Sequence, residues 1–126
     1  MKTTFLYTGI RVKNLEESVR FYTRLLGMKE TGRNRIEATG GTVVSLKSVE
    51  GGQELELNYY PKRNKYAIKY AAGEGLDHLA FKVEDLDVAL AELGKAGHPT
   101  VLKVKGSSSR WAYVKDPNGI WIELFS

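Results

Sequence analysis

The sequence predicts an α+β fold built from two βαβββ repeats that together form a curved mixed sheet. Three observations point to it. The hydrophobic period switches from two residues to about 3.6 and back, twice along the chain. Helix-start signals stand at matching places in the two halves. An offset of 71 residues carries Tyr7 onto His78, Leu15 onto Leu86 and Val19 onto Leu90. The closing strands repeat with an offset of 67, which lays Glu56-Leu57 on Glu123-Leu124 after one loop is shortened. A strand, a helix and three strands used twice is one supersecondary unit in two copies, and two copies imply a pseudo-twofold cleft.

Taken in order, Phe5 to Val12 alternates Leu6, Thr8, Ile10 and Val12 against Phe5, Tyr7, Gly9 and Arg11, the period of a strand. Asn14 followed by Glu17 reads as a capping box. Leu15, Val19, Tyr22, Leu25 and Leu26 then recur at helical spacing until Gly27 stops the helix. From Lys29 the chain reads as short strands broken at Gly32, Gly40-Gly41 and Gly51-Gly52, the clearest being Thr42 to Lys47 and Gln53 to Tyr60. Pro61 to Gly75 is basic, bears tyrosines and has no clean period, so it reads as a linker between halves at about 1–60 and 76–126 of a single domain, 1–126. Asp77 to Val83 repeats the opening strand, Asp85 is a candidate N-cap, and Leu86, Leu90 and Leu93 form a second amphipathic helix ending near Gly97. Thr100 to Val104, Arg110 to Lys115, the turn Asp116-Pro117-Asn118-Gly119 and Ile120 to Phe125 complete the second half.

With 126 residues the chain is one domain's worth, enough to bury roughly two thirds of its unfolded surface. It contains no cysteine, which excludes disulfides, thiolate metal sites and cysteine nucleophiles. Any metal must use nitrogen or oxygen ligands. The net charge of +4, from 19 Lys plus Arg against 15 Asp plus Glu, is scattered over both halves, which suits an anionic ligand and argues against nucleic acid. No apolar run approaches a signal core or a membrane span, so the expectation is a cytoplasmic protein that engages no membrane.

Strand alternation sorts the chemistry-bearing residues by face. Leu55 and Leu57 oppose Glu54, Glu56 and Asn58; Ile122 and Leu124 oppose Trp121, Glu123 and Phe125; Leu79, Phe81 and Val83 oppose His78, Ala80 and Lys82. If the apolar faces pack on the helices, Tyr7, Glu56, His78 and Glu123 all point to the concave side. Singly, each is adequately explained as part of a solvated or half-buried strand face, and His98 beside Pro99 reads as surface. The repeat changes the balance, because it sets Tyr7 against His78 and Glu56 against Glu123 at equivalent places.

The segments LYTGIRV at 6–12, FYTRLLGM at 21–28, DHLAFKV at 77–83 and DPNGIWIEL at 116–124 resemble the glyoxalase I, bleomycin-resistance and extradiol dioxygenase proteins of the vicinal oxygen chelate superfamily. The resemblance spans almost the whole chain. To glyoxalase I it is similar at three of four metal-ligand positions, Glu56, His78 and Glu123. At the fourth, where the family has His or Gln, this chain has Tyr7. A phenol with a pKa near 10 is a poor neutral ligand. The resemblance therefore implies a three-ligand site with open water positions, Tyr7 standing by as a possible fourth ligand. Two carboxylates and an imidazole suit one divalent Ni, Co, Zn, Mn or Fe. It implies a lyase that isomerises the hemithioacetal of a 2-oxoaldehyde such as methylglyoxal through an enediolate, with Glu123 as first candidate for the catalytic base and Glu56 as second. A thiol cosubstrate such as glutathione is implied too. Glutathione-using members carry Asn four residues after the first Glu, whereas here Tyr60 stands there and Asn58 falls two residues early.

The alternative within the same superfamily is a metal-free small-molecule binding or sequestering protein, its cleft lined by Tyr7, Trp111, Tyr113, Trp121 and Phe125. An extradiol dioxygenase or an epimerase fits less well, since Tyr7 departs from both. The resemblance also implies a homodimer whose sites are shared, Tyr7 and Glu56 of one subunit meeting His78 and Glu123 of the other.

Overall fold

The computed structural model describes residues 2, 6–67, 69–74, 76–105 and 110–126. Phe5, read as the start of the first strand, and Gly75, read as the end of the linker, lie outside the described residues. The chain divides into two compact units, Met1–Tyr70 and Ala71–Ser126.

In the first unit β1 (Tyr7–Arg11) leads through Asn14 into α1 (Leu15–Arg20), a π-helical turn over Phe21–Leu25, and then β2 (Lys29–Ile36), β3 (Gly41–Ser48) and β4 (Gly51–Tyr59). The sheet is four-stranded and mixed, in the order β1-β4-β3-β2, with β1 parallel to β4 and the other pairs antiparallel. The second unit repeats it with β5 (His78–Lys82), α2 (Leu86–Lys95), β6 (Leu102–Lys105), β7 (Arg110–Lys115) and β8 (Trp121–Phe125), in the order β5-β8-β7-β6 and with β5 parallel to β8.

Both helices start as expected. Asn14 Oδ1 accepts from the Glu17 amide at 3.0 Å and Asp85 Oδ1 from the Val88 amide at 3.0 Å. The two caps adopt nearly the same backbone, φ −130 and ψ 111 against φ −133 and ψ 111. The helix ends differ. After α2, Gly97 takes φ 93, its amide reaches the Gly94 carbonyl at 3.1 Å and the His98 amide reaches Leu93 at 2.8 Å, which is a Schellman closure. The first helix instead widens into the π turn, where the Leu26 amide bonds to Phe21, five residues back, at 3.2 Å. Gly27 then leaves at φ 72.

The expected break at Gly32 is not a strand end. Lys29–Ile36 runs as one strand whose register with β3 shifts between Glu30 and Gly32, the signature of a bulge.

Each unit has its own core, drawn from the alternate apolar positions of its strands and the apolar face of its helical segment. Ile10, Phe21, Tyr22, Val44, Leu46 and Leu57 are buried in the first unit; Leu86, Leu93, Val114, Ile122 and Leu124 are buried in the second. In the Asp116–Gly119 turn Asp116 and Asn118 are buried as well, and Asp116 Oδ1 accepts from the amides of Asn118 at 2.7 Å and Ile120 at 2.8 Å. That bonding holds the entry to β8, the strand that carries Glu123.

Candidate functional site

In each unit the parallel strand pair positions the side chains of interest. In the second unit β5 and β8 pair His78 with Trp121 and Ala80 with Glu123. Because Leu79, Ile122 and Leu124 turn the other way, His78 and Glu123 share the polar face. They meet: His78 Nε2 lies 3.1 Å from Glu123 Oε2, with the two side chains 35% and 20% exposed. His78 Nδ1 lies 2.6 Å from Asp77 Oδ1. A carboxylate on one ring nitrogen fixes the orientation of an imidazole and leaves the other nitrogen facing the site.

Glu123 has a second partner. Tyr113 sits directly opposite it across the β7–β8 ladder. Its hydroxyl donates to Glu123 Oε2 at 3.0 Å. The phenol ring stands edge-on to the His78 imidazole at 5.7 Å and tilted against Trp121 at 5.4 Å. Glu123 holds the Tyr113 hydroxyl above its ordinary pKa, first through the hydrogen bond to the carboxylate, then through burial and the charges of Glu123 and Asp77.

In the first unit β1 and β4 pair Tyr7 with Glu54, Gly9 with Glu56 and Arg11 with Asn58. All six side-chain positions share the polar face, since Leu55 and Leu57 are buried on the other. Tyr7 is 45% exposed. Gly9 leaves room beside Glu56: a Cβ there would lie 3.9 Å from Glu56 Oε1 and 3.3 Å from Asn58 Nδ2. The residue paired with Glu56 across the antiparallel ladder is Ser45, where the second unit has Tyr113.

Of the four expected ligands, then, His78 and Glu123 are brought into contact in one unit, and Tyr7 and Glu56 share a face in the other. No group of three His, Asp or Glu side chains gathers in a geometry for a metal among the described residues. The donors present nonetheless suit a divalent ion. Two atoms held side by side on one ion at ~2.1 Å each stand about 3.0–3.4 Å apart, and the His78–Glu123 separation of 3.1 Å falls in that range. The carboxylate behind His78 is the usual support for a metal-binding imidazole.

Sequence reasoning gave Tyr113 only a place lining a cleft and gave Asp77 none. The alternation of Trp111, Tyr113 and Lys115 against Ala112 and Val114 already put Tyr113 on the face of Glu123. His98, read as surface, is tied through Nδ1 to the Lys115 carbonyl at 2.8 Å.

Comparison with known proteins agrees with the fold. The chain is 32% identical over 124 residues to the "Probable lactoylglutathione lyase" of Vibrio parahaemolyticus, covering 94% of this chain and 87% of that protein. It is 33% identical over 125 residues to the lactoylglutathione lyase of Haemophilus influenzae, covering 94% and 89%. Among solved structures, the trypanothione-dependent glyoxalase I of Leishmania major superposes with a TM-score of 0.82 at 31% identity, covering 99% of this chain and 87% of that one. The family model described as Glyoxalase/Bleomycin resistance protein/Dioxygenase superfamily matches residues 4–124. With two mixed sheets of matching order and a match across nearly its whole length, this chain belongs to the glyoxalase/bleomycin resistance protein/dioxygenase superfamily.

Proposed function

We propose that the protein is a glyoxalase I-like lyase that isomerises the hemithioacetal of a 2-oxoaldehyde and a thiol through an enediolate, using one divalent ion held by Glu56, His78 and Glu123. The observation that carries this reading is the 3.1 Å approach of His78 Nε2 to Glu123 Oε2, with Asp77 behind the imidazole. Relatives named lactoylglutathione lyase at 32% and 33% identity support it.

A bound divalent ion would supply Lewis-acid stabilisation of the negative charge that develops on two adjacent substrate oxygens. The rest falls to the chain. Glu123 takes the proton from the carbon bearing the sulfur and returns it to the neighbouring carbon, while the hydroxyl proton passes to the neighbouring oxygen, so the hemithioacetal carbon becomes the thioester carbonyl and the former carbonyl becomes a hydroxyl; such acid–base transfer is typically worth ~10²–10⁴-fold. Glu56 is the second candidate for this work. Oxygen and nitrogen donors without thiolate would suit Ni, Co, Zn, Mn or Fe.

The test is turnover of the methylglyoxal–glutathione hemithioacetal by protein stripped with chelator and reloaded with each metal in turn. Activity that returns with metal and is abolished in Glu123→Gln, with the fold intact by circular dichroism, is the expected result. Unchanged turnover in Glu123→Gln removes that residue from the reaction.

One observation favours a second reading, a metal-free sequestering protein: Tyr7 occupies the family's first ligand position, and Tyr113 and Trp121 present paired rings 5.4 Å apart on the polar face of the other unit. Purified protein that takes up no divalent ion after soaking with Ni, Co, Mn and Zn, yet binds a planar aromatic ligand, would favour it over the lyase.

A further inference from the structure

The two polar faces carry a glutamate at the same place, Glu56 in one and Glu123 in the other, but differ in what stands opposite it. Opposite Glu56 the antiparallel ladder places Ser45; opposite Glu123 it places Tyr113. A serine side chain is too short to span the gap that the phenol crosses. The result is an asymmetry between two carboxylates that hold the same place in the repeat.

Tyr113 is fixed by its surroundings more firmly than an exposed tyrosine would be. Its ring has Trp121 on one side at 5.4 Å and the His78 imidazole edge-on at 5.7 Å, and its neighbours Ala112 and Val114 are fully buried. Its hydroxyl therefore reaches Glu123 from a set position. The Tyr113 hydroxyl donates to Oε2 at 3.0 Å and His78 Nε2 lies 3.1 Å from the same oxygen, while Oε1 carries no donor among the described residues.

From this geometry we infer that Tyr113 is a positioning residue: its hydroxyl holds Glu123 by Oε2 in contact with His78, so that the two side chains meet a divalent ion already arranged. The inference rests on the metal-dependent reading above. It adds a residue that the ligand set does not include and sets Glu123 apart from Glu56, which has no phenol opposite. A carboxylate on a strand can swing through several rotamers, and each must be excluded when it binds an ion; a hydrogen bond from a packed phenol excludes them beforehand. Outer partners of this kind are typically worth 10–100-fold in metal affinity or activity.

The experiment titrates cobalt(II) chloride into metal-stripped full-length protein, following the visible absorption of bound cobalt. Four proteins are compared: wild type, Tyr113→Phe, Glu123→Ala and the double variant. Tyr113→Phe keeps the ring and its stacking and removes only the hydroxyl; thermal melting checks that it folds. The expected result is cobalt affinity ~10–100-fold weaker in Tyr113→Phe than in wild type. In the Glu123→Ala background the same change has no further effect, because Tyr113 acts through Glu123. Wild-type affinity in Tyr113→Phe overturns the inference while leaving the lyase reading standing. So does a loss that adds in full to that of Glu123→Ala, since a hydroxyl acting by any route other than Glu123 would weaken both backgrounds alike. A wild-type protein that binds no cobalt fails the metal-dependent reading itself and takes the inference with it.

Discussion

A phenol and a carboxylate sharing one hydrogen bond form a pair whose protonation can be followed. The Tyr113 hydroxyl is pushed above its ordinary value near 10 chiefly because it donates to Glu123, and ionising it would place two negative oxygens side by side. The sign of the linkage follows. A raised folded-state pKa contributes stability that is complete below the unfolded value, near 10, and is lost as pH climbs through the folded one. The stability advantage of wild type over Tyr113→Phe is therefore expected to be flat through neutral pH and to shrink only in the alkaline range. Ultraviolet titration of phenolate checks the cause: in Glu123→Ala, the Tyr113 transition should move back down toward the ordinary tyrosine range. Tyr7 gives a second prediction. It stands, 45% exposed, where His or Gln would complete a four-ligand set. Tyr7→His should raise cobalt or nickel affinity, since neutral imidazole is a far better ligand than a protonated phenol. Lower metal content in Tyr7→His would make tyrosine itself a ligand.

Two elements carry the repeat most plainly, the helix starts. Asn14 and Asp85 are 71 residues apart, the offset that also relates Tyr7 to His78, and each accepts one amide at 3.0 Å from the residue three positions on. Asn14→Ala and Asp85→Ala should each cost about 0.5–2 kcal/mol, read as a shift in urea midpoint at unchanged slope. A loss well below that for Asn14→Ala would mean the π-helical turn after α1 takes up the strain. These elements were legible because capping is local: the side chain, the turn and the next amides lie within four residues. Strand faces were legible for the same reason, through Leu55 and Leu57 or Ile122 and Leu124. The bulge at Glu30–Gly32 and the π turn at Phe21–Leu25 were not, because both are settled by packing on the sheet and leave the spacing of apolar residues unchanged. The Tyr113–Glu123 bond was half legible: alternation gives the face, but the rotamer that carries a phenol to a carboxylate depends on Trp121 on the adjacent strand and His78 on the strand beyond it.

For the whole molecule, the division of the proposed ligands between the two units is the physical question. Glu56 and Tyr7 belong to the unit Met1–Tyr70, and His78 and Glu123 to the unit Ala71–Ser126. A site that uses Glu56 with His78 and Glu123 must be assembled from both kinds of unit, either within one chain or between two. We expect the second, in a homodimer with twofold symmetry, which pairs each first unit with the partner's second unit and makes two equivalent sites. Complementation distinguishes the cases. Glu56→Ala and Glu123→Ala are each expected to be inactive alone. Unfolded together and refolded as a mixture, they form mixed dimers in which one site carries both defects and the other carries neither. Random pairing makes half of the dimers mixed, so activity should recover to about a quarter of wild type. A chain carrying both substitutions, refolded with either single variant, leaves every site defective and should recover none. If the sites lie within single chains, every site in the first mixture keeps one lesion, and the mixture stays as inactive as its components even when light scattering shows that dimers have formed.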